Sequence, residues 1–289
     1  MKRLIPILII GLLAAASHAQ PVLSAYHADD GELIMALDDD GLLYELKQTG
    51  WSAVGEPCPT AGPYSLDLRK IAGVEETLFI FVIDGAGRLY QTNGASWVEL
   101  AAPPPDAAPS CRGTVYEASD TVILALMLDE TGAMYITGVE AGWMRLEPDL
   151  PTAPPRDVEV YYDIANETLN PFILGDDSML YGFVDGAWQA STTFNTTGEE
   201  LGCVELHIDA ETGGVLVLAV DDQGRLYDDA ETGSLARTEH EPCPGEGPWE
   251  LELIHIPGGG FDLLCLDSTG GLSLALDGDW TQVTESFGE

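Results

Sequence analysis

Positive charge is what this chain has least of. Lys and Arg number 11 against 49 Asp and Glu in 289 residues, a formal charge of −38. Such a surface repels nucleic acid and anionic lipid, so neither is expected as a partner. It suits cations, basic partners or a salty medium. Long apolar runs are missing after the first 19 residues, which argues against membrane insertion. No later segment of useful length carries helical periodicity. Histidines number 5, and none are spaced as H-x-x-x-H. There is no P-loop, no G-x-S-x-G elbow and no C-x-x-C pair, so the chemistries those motifs mark find no support.

What is present begins with a leader. Lys2 and Arg3 precede an apolar run, Leu4 to Ala16, and Ser17-His18-Ala19 is a small-x-small cleavage site. Residues 1–19 read as a secretory signal peptide cleaved near Ala19. The mature chain, 20–289, is expected to be secreted or periplasmic, and monomeric. Apolar residues make up 45% of the chain with the acids dispersed among them, which is not the composition of a disordered acidic segment.

The mature chain repeats one phrase. It reads DDDGLLY at Asp38, DGAGRLY at Asp84, DETGAMY at Asp129, GDDSMLY at Gly175, DDQGRLY at Asp221 and DSTGGLS at Asp267. The phrase ends on Tyr44, Tyr90, Tyr135, Tyr181, Tyr227 and Ser273, at intervals of 46, 45, 46, 46 and 46 residues. Trp51, Trp97, Trp143, Trp188 and Trp280 follow in five copies, while the fifth copy has Leu235. A period in the mid-forties with only strand signals inside it predicts a β-propeller.

Each unit reads as four strands. LIMALD, LFIFVID, ILALMLD, PFILG, VLVLAVD and DLLCLD are continuous apolar runs, as expected of strands buried on both faces. The connections, such as AAPPPDAAP and PCPGEGP, are rich in Pro and Gly. The fold predicted is therefore all-β: one six-bladed propeller over 20–289, with four antiparallel strands per blade. Every blade takes its strands from one contiguous segment, so no strand exchange is expected at closure.

Disulfides are allowed in an exported chain. Cys58 and Cys111 lie in the connections flanking unit two; Cys203 opens unit five and Cys243 closes it. Four Cys allow three pairings. The pairing that flanks single blades is Cys58–Cys111 with Cys203–Cys243, leaving Cys265 as a buried thiol.

Three groups of residues could carry function. The Asp and Gly of D-x-x-G build a turn, and alone are too short for a calcium loop. The Tyr and Trp of each unit can fill the gap between blades, or present flat apolar faces to sugar rings. An acid stands between apolar residues in the first strand of units two to six: Asp67, Glu117, Glu159, Glu205, and Glu250 or Glu252. Innermost strands line a propeller's channel, so these carboxylates could form a ring that attracts Ca²⁺ or has raised pKa values, or could be paired and solvated by channel water. His207 and His255 lie in first strands near the acids.

At GRLYQTNGASW the repeat resembles the lectin-like propellers: the tachylectin/tectonin group and the fucose-binding and related bacterial lectins. Their repeats combine a D-x-x-G-x-L-Y turn and strand with a later G-x-W, and the resemblance runs through all six units. It implies carbohydrate binding between blades, with Tyr44, Trp51, Tyr90, Trp97, Tyr135, Trp143, Tyr181, Trp188, Tyr227 and Trp280 as the candidate aromatics. The chain departs from the pattern in having few Arg and no constant Trp in its first strands. The leading expectation is an exported, non-catalytic, lectin-like binding propeller without a required cofactor, its partners glycans or a surface protein. One alternative is a calcium-dependent lactonase or esterase, with a channel metal held by Asp67, Glu117, Glu159, Glu205, Glu252, His207 or His255. Another is an extracellular protein-interaction scaffold.

Overall fold

The structure is a computed structural model describing residues 20–28, 31–70, 78–109, 111–119, 122–138, 142–163, 168–184, 186–190, 201–208, 215–228, 236–238, 241–255, 261–276 and 279–287. The leader, 1–19, lies outside the described residues. No helix among the described residues is long and apolar enough to cross a membrane.

Six antiparallel sheets of four strands form the blades. Blade one holds β1 (Val22–Ala28), β2 (Gly31–Leu37), β3 (Leu43–Lys47) and β4 (Gly50–Val54). Blade two holds β5 (Tyr64–Lys70), β6 (Leu78–Asp84), β7 (Leu89–Thr92) and β8 (Trp97–Ala101). Blade three holds β9 (Arg112–Ser119), β10 (Val122–Leu128), β11 (Met134–Gly138) and β12 (Met144–Leu146). Blade four holds β13 (Pro155–Asp163), β14 (Thr168–Gly175), β15 (Leu180–Val184) and β16 (Ala187–Ala190). Blade five holds β17 (Leu201–Ile208), β18 (Val215–Asp221), β19 (Leu226–Asp228) and β20 (Ala236–Arg237). Blade six holds β21 (Glu250–His255), β22 (Phe261–Leu266), β23 (Leu272–Leu276) and β24 (Asp279–Thr284). Each sheet is one contiguous segment, so no strand is exchanged. The innermost strands β1, β5, β9, β13, β17 and β21 pack side by side in a closed ring, β21 against β1.

The period-2 geometry of the second strands explains their unbroken apolar runs. In β6, Ile80 and Val82 face the core shared with blade one, while Phe81 and Ile83 face the core shared with blade three. In β22, Leu263 and Cys265 face blade five, and Leu264 and Leu266 face blade one. The apolar interior is thus six clusters, one at each blade junction.

The D-x-x-G turns are held by the aspartate. Asp84 Oδ1 accepts the backbone N–H groups of Ala86 and Arg88 at 2.9 and 2.8 Å, and its carbonyl accepts Gly87 N–H at 2.8 Å. Gly87 sits at φ +84, in the left-handed region open to glycine. Blade four shifts the pattern: Gly175 takes the aspartate's place, Asp177 does its work, and Ser178 adopts φ +59. Asp221 makes the most of its carboxylate, accepting from the Gln223 and Arg225 backbones, Arg225 Nε at 2.6 Å and Tyr227 Oη at 2.9 Å. It is 1% exposed. Asp221→Ala is therefore expected to lower unfolding stability by about 2–4 kcal/mol, read by urea denaturation. An unchanged midpoint would show that the turn survives without its aspartate.

The predicted disulfides are not formed. All five cysteines are free thiols and buried. Cys58 N–H and Cys243 N–H donate to Gly41 O and Gly224 O of the preceding blade's turn, each at 2.7 Å, and Leu150 N–H does the same to Gly132 O at 2.9 Å. Each connection thus tucks under its own preceding turn, with a small apolar plug facing its own junction. Cys58 and Cys111 consequently sit in different inter-blade cores. Cys203 and Cys243 share a core with Cys265 without bonding covalently. Leu150 shows that the plug position does not require a thiol.

Candidate functional site

An innermost strand exposes a row of edge N–H groups that need acceptors. Side chains of the preceding blade supply several of them. Ser24 Oγ accepts Leu68 N–H at 3.2 Å, Ser65 Oγ accepts Gly113 N–H at 2.9 Å, and Asp67 Oδ2 accepts Val115 N–H at 2.9 Å. Asp157 Oδ2 accepts Val204 N–H at 2.8 Å, and Glu252 Oε1 accepts Ala25 N–H at 3.0 Å across the closure. Arg69 adds a cationic staple, with Nε donating to Val115 O at 2.7 Å and Nη2 to Asp67 Oδ1 at 2.8 Å.

These groups line a central cavity of about 280 Å³, together with Arg112, Arg156, Glu159, Glu205 and Glu250. The structure therefore brings together the predicted Asp67, Glu159, Glu205 and Glu252. Glu117, His207 and His255 belong to β9, β17 and β21, but their side chains lie outside those described. Asp157 and the arginines were not singled out from the sequence. Arg69, Arg112 and Arg156 stand 43 and 44 residues apart, off the period of the turn phrase, so aligning the units does not mark them.

Enclosure raises the pKa values of the acids. Burial pushes Asp67 up to about 6 despite the opposing charge of Arg69. Burial likewise pushes Glu252 up to about 8 against its bond from Ala25 N–H. Glu159, Glu205 and Glu250 are held well above the usual carboxylate range, first by burial and then by neighbouring carboxylates. Three of its acids, Asp67, Asp157 and Glu252, spend an oxygen on a backbone N–H group. Among the described residues no cluster of three His, Cys, Asp or Glu is arranged to hold an ion.

The candidate aromatics are spread around the rim, at the junctions. Tyr90, Tyr135, Tyr181 and Tyr227 are buried in inter-blade cores. Tyr44, Tyr181 and Tyr227 donate their hydroxyls to Asp38, Asp177 and Asp221. Four Trp side chains tie each blade to the preceding connection or turn: Trp97 Nε1 donates to Glu56 O, Trp188 to Pro148 O, Trp280 to Glu241 O and Trp51 to Gly270 O, at 2.8 to 3.0 Å. Trp143 Nε1 is buried without a partner.

Two junctions hold open pockets. The one at the six–one closure, about 320 Å³, is lined by Asp38, Tyr44 and Phe287 among others, but Phe287 covers the Tyr44 ring at 4.5 Å and the Tyr44 hydroxyl occupies Asp38 Oδ2. Beside Trp280, between blades five and six, lies a pocket of about 210 Å³ lined by Pro244, Gly245, Asp267, Gly271, Ser273, Trp280 and Gln282. The crevice beside Trp97 has no comparable space.

Neither a protein-family model nor a curated protein matches the chain. Solved structures do match its fold. A triple arginine-to-alanine mutant of AofleA from Arthrobotrys oligospora aligns with a TM-score of 0.65 at 11% identity, covering 94% of this chain and 88% of that one. The six-bladed Aleuria aurantia lectin, described with a novel fucose recognition mode, aligns at TM-score 0.61 and 10% identity, covering 94% and 98%. The amino-terminal part of BBS1, solved in complex with ARL6, aligns at TM-score 0.59 and 14% identity, covering 93% and 84%. The chain shares its fold with a lectin propeller and with a chain solved in complex with ARL6.

Proposed function

We propose that this chain is an exported, non-catalytic propeller that binds carbohydrate at a blade junction. The observation that carries the reading is the indole of Trp280 beside an open pocket of about 210 Å³. An aromatic face next to hydrogen-bonding side chains suits a sugar ring, whose C–H face is apolar and whose edge is polar. The fold shared with lectin propellers supports it. A glycan array probed with labelled mature protein tests the reading. The expected result is a family of bound glycans whose signal is competed by the free sugar. A blank array, with no binding by titration of simple glycosides, would leave the protein-scaffold reading in its place.

A further inference from the structure

The sixth unit breaks the repeat at one place. Five units put Tyr at the end of the turn phrase, and the sixth puts Ser273 there. In the other blades the second carboxylate oxygen of the turn aspartate is occupied. Asp38, Asp177 and Asp221 accept Tyr hydroxyls on Oδ2, Asp84 accepts Arg88 Nη1, and Asp129 accepts Ala108 N–H. Asp267 uses Oδ1 alone, for Thr269 N–H, Thr269 Oγ1 and Gly271 N–H. Among the described residues no hydrogen bond reaches its Oδ2.

Both consequences of the missing Tyr meet in one spot. The ring is gone, so space opens; the hydroxyl is gone, so a carboxylate oxygen is left without a donor. The pocket beside Trp280 is lined by Asp267 and Ser273 themselves. Gly245 completes it: at φ +83, a Cβ there would lie 1.9 Å from Asp267 Oδ2. No Lys or Arg lines the pocket.

Resting on the carbohydrate-binding reading, we infer that the chain has one ligand site, at the five–six junction, for a single non-acidic pyranose. Trp280 supplies the stacking face, and its orientation is set by the bond from Nε1 to Glu241 O at 2.8 Å. Asp267 Oδ2 accepts a ring hydroxyl or an ammonium, in place of the tyrosine hydroxyl that units one, four and five provide. Ser273 and Gln282 offer further polar contacts. A pocket of about 210 Å³ is smaller than the roughly 300–1,000 Å³ of sites for drug-sized ligands, so it takes one ring rather than a chain. A carboxylated sugar would set charge against Asp267 with no cation nearby to compensate.

The test is calorimetric titration with methyl glycosides of neutral pyranoses, with glucosamine and with glucuronate. Wild type should bind a neutral or amino pyranose with one site per chain, and glucuronate at least tenfold more weakly. Ser273→Tyr restores what five other units carry and should abolish binding, a loss above tenfold, without lowering the melting temperature. Gln282→Trp closes the pocket from an exposed position and should do the same if the first variant folds poorly. Val98→Ala, on the exposed outer strand of blade two, should bind as wild type. Unchanged binding in Ser273→Tyr and Gln282→Trp would overturn this site and leave the carbohydrate reading standing at another junction. A stoichiometry above one would overturn the single site, as would tight glucuronate binding its selectivity. Failure of wild type to bind any pyranose would overturn both.

Discussion

Phe287→Ala is expected to lower unfolding stability by about 2–3 kcal/mol, a large effect for a residue beyond the last strand. The reason is how the ring closes. With no exchanged strand, blades six and one are joined by side chains alone. Phe287 stacks on Tyr44 at 4.5 Å and 19°, and packs on Trp51 at 5.5 Å. It lies so close over Gly270 that a Cβ there would come within 2.3 Å of the ring. Trp51 in turn holds Gly270 O through its indole N–H. Removing the phenyl ring leaves two aromatic faces of blade one unsupported and loosens the turn of blade six. Hydrogen exchange should show β1 and β21 losing protection before the strands of blades two to four. Urea midpoints equal to wild type, with uniform exchange, would place the closure in the core around Leu23, Ile254 and Leu266 instead.

The second large effect concerns Glu252, and two substitutions should act in opposite directions. Its folded pKa is raised to about 8 by burial, above the ordinary glutamate value of 4.5. A carboxyl raised in the folded state favours folding while protonated. Its contribution is fully present below the ordinary value and is lost as pH rises through the folded one. The same sign holds for Asp67, raised to about 6, and for Glu159, Glu205 and Glu250. Stability should therefore rise as pH falls from 9 toward 5, by an order of 1–2 kcal/mol or more. Glu252→Gln keeps an oxygen for Ala25 N–H and removes the charge. It should be more stable than wild type at pH 9 by about 1–2 kcal/mol, with a shallower pH profile. Glu252→Ala orphans Ala25 N–H at the closure and should be less stable at pH 5 by about 1–3 kcal/mol. Melting curves of the three proteins across this range decide it. Parallel profiles for wild type and Glu252→Gln would mean that this carboxylate does not titrate in the channel.

Much of the candidate site was legible in the repeat, but not what each residue does. The acids Asp67, Glu159, Glu205 and Glu252 could be assigned to the channel because an innermost strand must line it. That Asp67 and Glu252 are hydrogen-bonded to the next blade's edge N–H groups could not be read. Such bonds depend on the stagger between neighbouring blades, which no pattern within one blade encodes. The disulfide expectation failed for a related reason. Sequence position put Cys58 and Cys111 on either side of one blade, but each thiol points into the junction on its own side. The departure of Ser273 from Tyr was visible in the alignment of the units. Its consequence, an open pocket with an unengaged Asp267 oxygen, required seeing what Tyr does in the others.

By itself the sequence determined the number of blades, their four-strand order and the turn that punctuates them. All are local or periodic properties: an alternating or unbroken apolar run fixes strand burial, and D-x-x-G encodes its own hydrogen bonds. Only the tertiary structure decided how the blades meet. The pairing of acids with edge N–H groups, the Phe287 clamp, the free thiols and the pocket of the sixth unit all lie between blades. There the partners belong to different blades or to the connections between them, so their contacts are set by packing across junctions rather than by the local pattern of one strand.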